Sequence, residues 1–458
     1  MKILILGAGQ VGSTVAMSLS SEQNDITIVD LDANKLKELQ DRRDLRGVHG
    51  FASHPKVLAS AGIEDADMLI ALTNSDEINM VACQIAYSLF NTPLTIARVR
   101  AAEYLCHKEL FSHENIPVDV LISPEQLVTK NITRLIEHPG ALQVLDFADG
   151  HVRMIAMRAQ DGSSMVGHQI SELNTNMPGN VEARVAAIFR RGESIPPKAK
   201  TIIEIGDIVY VLSTKKDAKL IMSKLRCENE NYRRIMLAGG GNIGSRLARH
   251  LEKKYQVKVL ERDPARAEFI SEQLEKTIVL VGDCADEELL QEENIEKMDV
   301  FCALTNDNEA NIVAAMLAKK MGAKKVIALI NRPAYADLAE SSSIDIAVSP
   351  EQITIGAVLT HVRRGHIVNV HSLRQGNAEA IEIVVEGGRN NSRVIGKKVK
   401  ELKLPSGATL GGIVRREELI MPHHDMEIED GDHVIVFISD KSQLAAVESL
   451  FSVQAVFL

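Results

Sequence analysis

Tryptophan is absent from this chain of 458 residues and aromatic residues make up only 3% of it, leaving little material for the stacking platforms that hold single-stranded nucleic acid. Positive charge is short as well: 52 lysines and arginines stand against 62 acids, a formal net charge of −10. Nucleic-acid binding draws much of its affinity from cations that neutralise phosphates, so a general role of that kind is disfavoured, although net charge says nothing of a local basic patch. The five cysteines, at positions 83, 106, 227, 284 and 302, are odd in number and form no C-x-x-C pair. Neither a disulfide framework nor a common zinc site is supported, and reduced cytoplasmic thiols are the simplest reading. No run of about 18 apolar residues is present, so no spanning helix is expected. The opening Lys2-Ile3-Leu4-Ile5-Leu6 is too short for a signal peptide and reads as a buried strand. Any membrane connection must therefore pass through a partner.

What is present is ordinary in amount and duplicated in arrangement. A hydrophobic fraction of 45% and a charged fraction of 25% are those of a globular protein. At about 150 residues per domain the length suggests three or four domains. Gly7-Ala8-Gly9-Gln10-Val11-Gly12 returns as Gly239-Gly240-Gly241-Asn242-Ile243-Gly244, with Gly7 and Gly239 lying 232 positions apart, as do Gly12 and Gly244. Asp30, closing Ile26-Thr27-Ile28-Val29-Asp30, corresponds to Glu261, closing Val257-Lys258-Val259-Leu260-Glu261. Ala71-Leu72-Thr73-Asn74 recurs as Ala303-Leu304-Thr305-Asn306, and Ser123-Pro124-Glu125-Gln126 as Ser349-Pro350-Glu351-Gln352. Towards the end of each copy, Gly206-Asp207 matches Gly431-Asp432. The chain is two copies of one two-part unit.

Within the first copy, short apolar runs alternate with helical patterns: strands are expected at 3 to 6, 26 to 30, near Val48, and at 68 to 72, 95 to 99 and 120 to 122. Strands separated by helices pair in parallel, and a glycine loop after the first strand makes this a doubly wound Rossmann sheet. Ser123-Pro124-Glu125-Gln126 reads as a helix start, with Ser to cap, Pro in the first turn and Gln to complete a capping box. The helix after it should lead from the sheet to a second part, where Val181 to Phe189 and Asp207 to Leu212 read as strands of a small α+β lobe with an open β surface. The polar stretch Glu228 to Arg234 marks the main boundary. Four parts result: nucleotide-binding lobes at 1–138 and 229–366, and smaller lobes at 139–228 and 367–458.

A G-x-G-x-x-G loop needs its first glycine for a tight turn, its second for close approach to a pyrophosphate and its third for helix packing. Both copies follow a strand, open a helix and end about 20 residues on in an acid, the context the fingerprint demands. Asp30 and Glu261 would accept hydrogen bonds from ribose hydroxyls and repel a 2′-phosphate, with Asp32 and Asp263 adding to that rejection; Arg262 could offset the charge of Glu261. Ribose recognition does not separate NAD from ATP or ADP. Thr73 and Asn74, with Thr305 and Asn306, sit at the carboxyl end of a fourth strand, where they either touch the ligand or cap the next helix. Arg98 is either a phosphate contact or a solvated strand end, and its counterpart is Leu329, so the two sites differ. Catalytic and metal signals are poor: His49, His54, His107 and His113 form no dyad, and His423-His424-Asp425 lacks the spacing of a closed site. Lys198 and Lys200, after Pro196-Pro197, read as a solvated rigid turn.

Two glycine-loop units, each with an A-L-T-N strand end and an S-P-E-Q helix start, resemble the TrkA family of potassium-uptake subunits over essentially the whole chain, down to Met80-Val81-Ala82-Cys83-Gln84 and His138-Pro139-Gly140-Ala141-Leu142. The resemblance implies two tandem RCK modules in a non-catalytic regulatory subunit on the cytoplasmic face of the inner membrane. It also implies a homotetramer controlling a membrane-embedded Trk-type potassium transporter through NAD(H), and in several cases ATP or ADP. The residues it points to are Gly7, Ala8, Gly9, Gln10, Val11, Asp30, Thr73, Asn74 and Arg98, then Gly239, Gly240, Gly241, Asn242, Ile243, Glu261, Thr305 and Asn306. The competing reading is an NAD-dependent dehydrogenase, which shares the fold but requires an acid-base group beside the nicotinamide.

Overall fold

The computed structural model describes residues 1–20, 24–175, 183–225, 231–332, 335, 338–339, 343–362, 367–373 and 378–453. The first apolar runs become strands β1 (Lys2–Leu6), β2 (Asp25–Asp30), β3 (Arg46–His49), β4 (Met68–Ala71), β5 (Thr95–Arg98) and β6 (Val120–Ile122). They pair in parallel in the order β3-β2-β1-β4-β5-β6. This order reverses between β1 and β4, which opens a crevice at the carboxyl ends of the strands, beside the glycine loop. A five-stranded antiparallel sheet follows: β7 (Ala141–Phe147), β8 (Val152–Arg158), β9 (Ala183–Arg190), β10 (Glu193–Ile195) and β11 (Ile208–Thr214), ordered β10-β9-β11-β8-β7.

The second copy repeats the plan. Strands β12 (Arg234–Ala238), β13 (Gln256–Glu261), β14 (Ile278–Val281), β15 (Val300–Ala303), β16 (Lys325–Leu329) and β17 (Ile346–Val348) pair in parallel as β14-β13-β12-β15-β16-β17. An antiparallel sheet of β18 (Ile367–Leu373), β19 (Ala378–Val384), β20 (Ala408–Arg415), β21 (Glu418–Ile420) and β22 (His433–Ile438) follows, ordered β18-β19-β22-β20-β21. The strand expected from Val181 is described only from Ala183, since residues 181 and 182 lie outside the described residues. The strand expected from Asp207 begins at Ile208 because Asp207, 1% exposed, accepts from Arg190 Nε and Nη2 at 2.9 and 2.8 Å. Asp432 and Arg415 repeat that fork at 2.7 and 2.9 Å.

Parallel sheets need apolar cover on both faces. The residues fall into two compact units, 1–127 with 350–362, and 128–349 with 363–458. In the first unit, helix Pro350–Val362 turns Ile355, Val358, Leu359 and Val362 into the core formed by Ile3, Ile5, Val15 and Leu19. Spacings of three and four residues put those four side chains on one face of the helix. At the start of this helix, Thr14 Oγ1 donates to Glu351 Oε1 at 3.0 Å. The corresponding helix of the first copy, Pro124–Glu137, passes after Leu127 into the second unit, where Lys254 Nζ donates to Glu137 Oε1 at 2.8 Å. In the first unit, sheet and covering helix thus come from opposite copies.

The open β surface expected of the small lobes is closed in the second unit, because each antiparallel sheet has one apolar face to bury. Phe147, Phe189, Tyr210 and Leu212 share a core with Leu373, Ala380, Ile435 and Phe437, and the rings of Phe189 and Phe437 meet edge to face at 6.1 Å. Polar groups fix the match: Glu382, 1% exposed, accepts from the Ala148 amide at 2.9 Å, and His371 Nε2 donates to the Asp146 carbonyl at 2.9 Å. His138 Nδ1 donates to the Arg134 carbonyl at 2.9 Å while its Nε2 accepts from Arg153 Nη1 at 2.8 Å. Burial pushes the pKa of His371 down, and burial with the adjacent Arg153 charge does the same to His138.

Leu359→Ala should lower stability by about 2–5 kcal/mol. Hydrogen exchange should show the loss in β1, 350 residues earlier in the chain, rather than in β12. Both buried imidazoles ionise less readily folded than unfolded, so their contribution is complete above the ordinary value of 6.5 and is lost as the pH falls below it. Urea midpoints should therefore drop between about pH 7 and pH 5, and less steeply in a chain carrying His138→Asn and His371→Asn.

Candidate nucleotide-binding sites

The three glycines of each loop answer to different constraints. Gly7 and Gly239 lie at φ +101° and +107°, the left-handed region that side chains rarely enter. A Cβ on Gly12 would fall 1.9 Å from the Gly7 carbonyl oxygen, and one on Gly244 the same distance from that of Gly239. The middle glycines differ, since a Cβ on Gly9 or Gly241 would meet nothing within 4 Å. The chain's own packing does not demand glycine there, whereas a phosphate lying against the backbone does. Behind the second loop, helix Asn242–Leu251 starts at Gly241 without a side-chain cap, so no side chain of its own claims the amides that favour an anion. The residues present fit a phosphate-bearing nucleotide.

The acids brace the loops from the next strand. Asp30 Oδ2 accepts from the Ala8 amide at 2.5 Å and Oδ1 from the Asp32 amide at 2.8 Å. Glu261 does the same with the amides of Gly240 and Asp263, at 2.7 and 3.0 Å. Each carboxylate oxygen keeps acceptor capacity beyond these single bonds. Asp32 and Asp263, expected as extra negative charge beside a ribose, are also the N-caps of helices Ala33–Arg42 and Pro264–Gln273.

At the end of β4, Thr73 Oγ1 donates to Asn79 Oδ1 at 2.7 Å, while Ser75 caps the following helix. Thr305 and Asn311 repeat this at 2.7 Å, with Asp307 as the cap. The threonines therefore shape the loop rather than cap the helix, and the side chains of Asn74 and Asn306 are exposed at its tip. The sequence reading passed over Asn79, which is fully buried and donates to the carbonyls of Thr73 and Arg98 at 3.2 and 2.9 Å. Asn311 ties Thr305 to Leu329 in the same way. The signal was in the repeat, since Asn79 and Asn311 are 232 positions apart inside apolar stretches.

The two sites are unlike. Arg98 Nη2 donates to the Thr73 carbonyl at 2.5 Å and its Nε is buried without a partner among the described residues. Burial and neighbouring Arg100 lower its pKa, against the opposing charges of Glu125 and Asp76. Leu329, in its place, is 4% exposed and apolar. At the second loop a Cβ on Gly240 would fall 2.2 Å from Ile270 Cδ1, where the first copy accommodates Ala8, and Arg266 Nε donates to the Gly240 carbonyl at 3.2 Å. Arg262 is exposed and forms no ion pair with Glu261 among the described residues. Asp425 of the His423-His424-Asp425 stretch is taken up by Lys400 at 2.7 Å, and no group of metal-binding side chains occurs among the described residues.

Two Rossmann sheets in tandem, each followed by an antiparallel lobe, define a chain of the RCK class. The GsuK RCK domain matches it with a TM-score of 0.61 over 98% of this chain and 94% of that one, at 18% identity. The GsuK channel bound to NAD matches with the same TM-score and identity over 98% of this chain and 78% of that one. Models of the TrkA-N domain match residues 3–124 and 235–350, and models of the TrkA-C domain match 154–226 and 389–452. The Trk system potassium uptake protein TrkA of Halomonas elongata is 54% identical over 457 residues and that of Vibrio alginolyticus 55% over 459, each pair covering 100% of both chains. The chain belongs to the TrkA family of potassium-uptake regulatory proteins.

Asn79→Ala removes the bonds that join the ends of β4 and β5. It should cost about 1–3 kcal/mol in urea unfolding, because buried groups are left without partners.

Proposed function

We propose that this chain binds a nucleotide at each glycine loop and that occupancy sets potassium flux through a membrane-embedded transporter of the Trk type. The observation that carries the reading is the open space over Gly9 and Gly241, which leaves the backbone bare for the close approach of a phosphate. Lobes 1–138 and 229–366 receive the nucleotide, with Gly7 to Val11, Asp30, Thr73, Asn74 and Arg98 at the first site. Gly239 to Ile243, Glu261, Thr305 and Asn306 form the second. Lobes 139–228 and 367–458 are regulatory. NAD(H) is the first candidate ligand, since a structure of the same fold, the GsuK channel, is bound to NAD. ATP and ADP present the same ribose and pyrophosphate to the loop. No helix among the described residues is long and apolar enough to cross a membrane, which suits a homotetramer held at the cytoplasmic face of the inner membrane by its transporter.

A ligand shifts a transporter only as far as it binds one shape of the subunit better than another. The exchanged helix offers a route. Pro350–Val362 packs on the glycine-loop helix Gln10–Ser20 through Thr14 and Glu351, and the chain then continues into β18 of the second lobe. Displacement of the loop helix by a bound phosphate is thereby felt by Pro350–Val362, the helix that precedes the second regulatory lobe in the chain. The dehydrogenase alternative is less well supported, because the curated relatives are named as potassium uptake proteins.

Titration calorimetry with NADH and with ATP should show Gly9→Ala weakening the first site at least about tenfold, about 1.4 kcal/mol. Thermal stability should hold, and Gly241→Ala should act likewise at the second site. Nucleotide-dependent potassium flux in vesicles holding transporter and subunit should lose part of its response in each variant. Unchanged affinity in both would overturn the reading.

A further inference from the structure

The two copies treat the same sheet edge in opposite ways. An edge strand offers unpaired amides and carbonyls, and proteins ordinarily blunt it with charge. At the edge of the first sheet, β3 carries Arg46, whose Nη2 donates to the Ser60 carbonyl at 2.6 Å, and His49, whose Nε2 donates to the Leu31 carbonyl at 3.0 Å. At the matching positions of the second sheet, 232 residues on, β14 carries Ile278 and Val281, exposed by 54% and 55%. The same fold tolerates a protected edge, so the apolar one is not dictated by the architecture.

Charge diverges at the same place. Ile278 lines a groove of about 420 Å³ at the amino ends of β12 to β14, together with Arg234, Tyr255, Lys258, Lys276 and Lys297. Lys258 is matched by Glu293 at 2.6 Å, and Lys297 touches Asn294 Oδ1 at 2.6 Å and Glu296 at 3.8 Å. Arg234 and Lys276 have no ion-pair partner among the described residues. Where the second copy has Lys276 and Lys297, the first has Asp44 and Asp65. On a chain of net charge −10, this is a local reversal of sign beside an apolar edge strand.

We propose that β14 and the adjoining groove are a docking surface for an extended, acidic and apolar segment of a different protein. The segment adds to the sheet as a further strand, with carboxylates facing Arg234, Lys276 and Lys297 and apolar side chains on both of its faces, one against Ile278 and, on the opposite face, one against Val281. Strand addition derives affinity from main-chain hydrogen bonds and selectivity from alternate side chains, and the reversal of charge supplies that selectivity here. The groove lies at the amino ends of the strands, whereas the glycine loops lie at the carboxyl ends, so a segment seated in the groove at Ile278 does not depend on nucleotide binding.

The test uses the full chain and fluorescence anisotropy with a labelled short peptide repeating Glu-Glu-Val-Val, which as a strand offers both residue types on each face. A Lys-Val peptide and a peptide with Pro at alternate positions serve as controls. The Glu-Val peptide should bind, more weakly as ionic strength rises, and both controls should bind at least about tenfold less well. Ile278→Arg, and separately Lys276→Asp with Lys297→Asp, install residues that the first copy already carries in the same fold. Each variant should weaken the Glu-Val peptide by a similar factor while leaving calorimetric nucleotide binding unchanged. Absence of binding to the wild type, or equal binding by the variants or by the proline peptide, would overturn the proposal. So would a change in the mass of the chain alone by light scattering in the Ile278 variant, which would make a second copy the occupant.

Discussion

The burial of helix Pro350–Val362 against the first parallel sheet is the contact on which much else rests, because a parallel sheet left bare on one face exposes a row of aliphatic side chains to water. Ile355, Val358, Leu359 and Val362 close the core around Ile3, Ile5, Val15 and Leu19, so the strand that ends in the first glycine loop is held by residues of the second copy. The loop's geometry depends on that strand. The counterpart helix Pro124–Glu137 runs on after Leu127 into the second unit, and the first copy does not supply a complete two-faced sheet by itself.

On this frame the two loops are alike where the chain must pack with itself and unlike where a ligand would be judged. Gly7, Gly12 and their partners are fixed by a left-handed turn and a 1.9 Å approach to a carbonyl oxygen. Asp30 and Glu261 brace their loops with the same pair of bonds, and Asn79 and Asn311 tie off the same strand ends. Differences gather at Arg98 against Leu329 and Ala8 against Gly240, with Arg266 added at the second loop. One site has a guanidinium at the strand end and the other an apolar side chain, so they would weigh anionic ligands differently.

Much of this was legible in the sequence. The alternation of apolar runs with helical patterns, the glycine loops and the terminal acids lead to the strand order and to the crevice, since parallel strands, crossover helices and phosphate loops each leave a local signature. The S-P-E-Q starts announced helices correctly, although the expected cap is not made at the first, where Ser123 Oγ has no partner among the described residues; nothing in Pro350–Val362 says which sheet its apolar stripe will meet, because the stripe is equally suited to either. The same limit hid the pairing of the two lobes: the apolar runs of β9 and β22 mark buried strands and leave their partner open. Thr73 read as either ligand contact or cap, and the decision lay with Asn79 six residues on, a buried asparagine that periodicity treats as noise.

The exchange of helices also bears on how the protein comes into being. Synthesis runs from the amino end, and the first sheet is complete in strands once Ile122 has emerged, yet its cover is not made until the ribosome reaches Val362. For that interval the nascent chain carries an unfinished core, open to chaperones and proteases. A messenger cut short before that point would yield a first half with all its loop residues and no stable site to hold them.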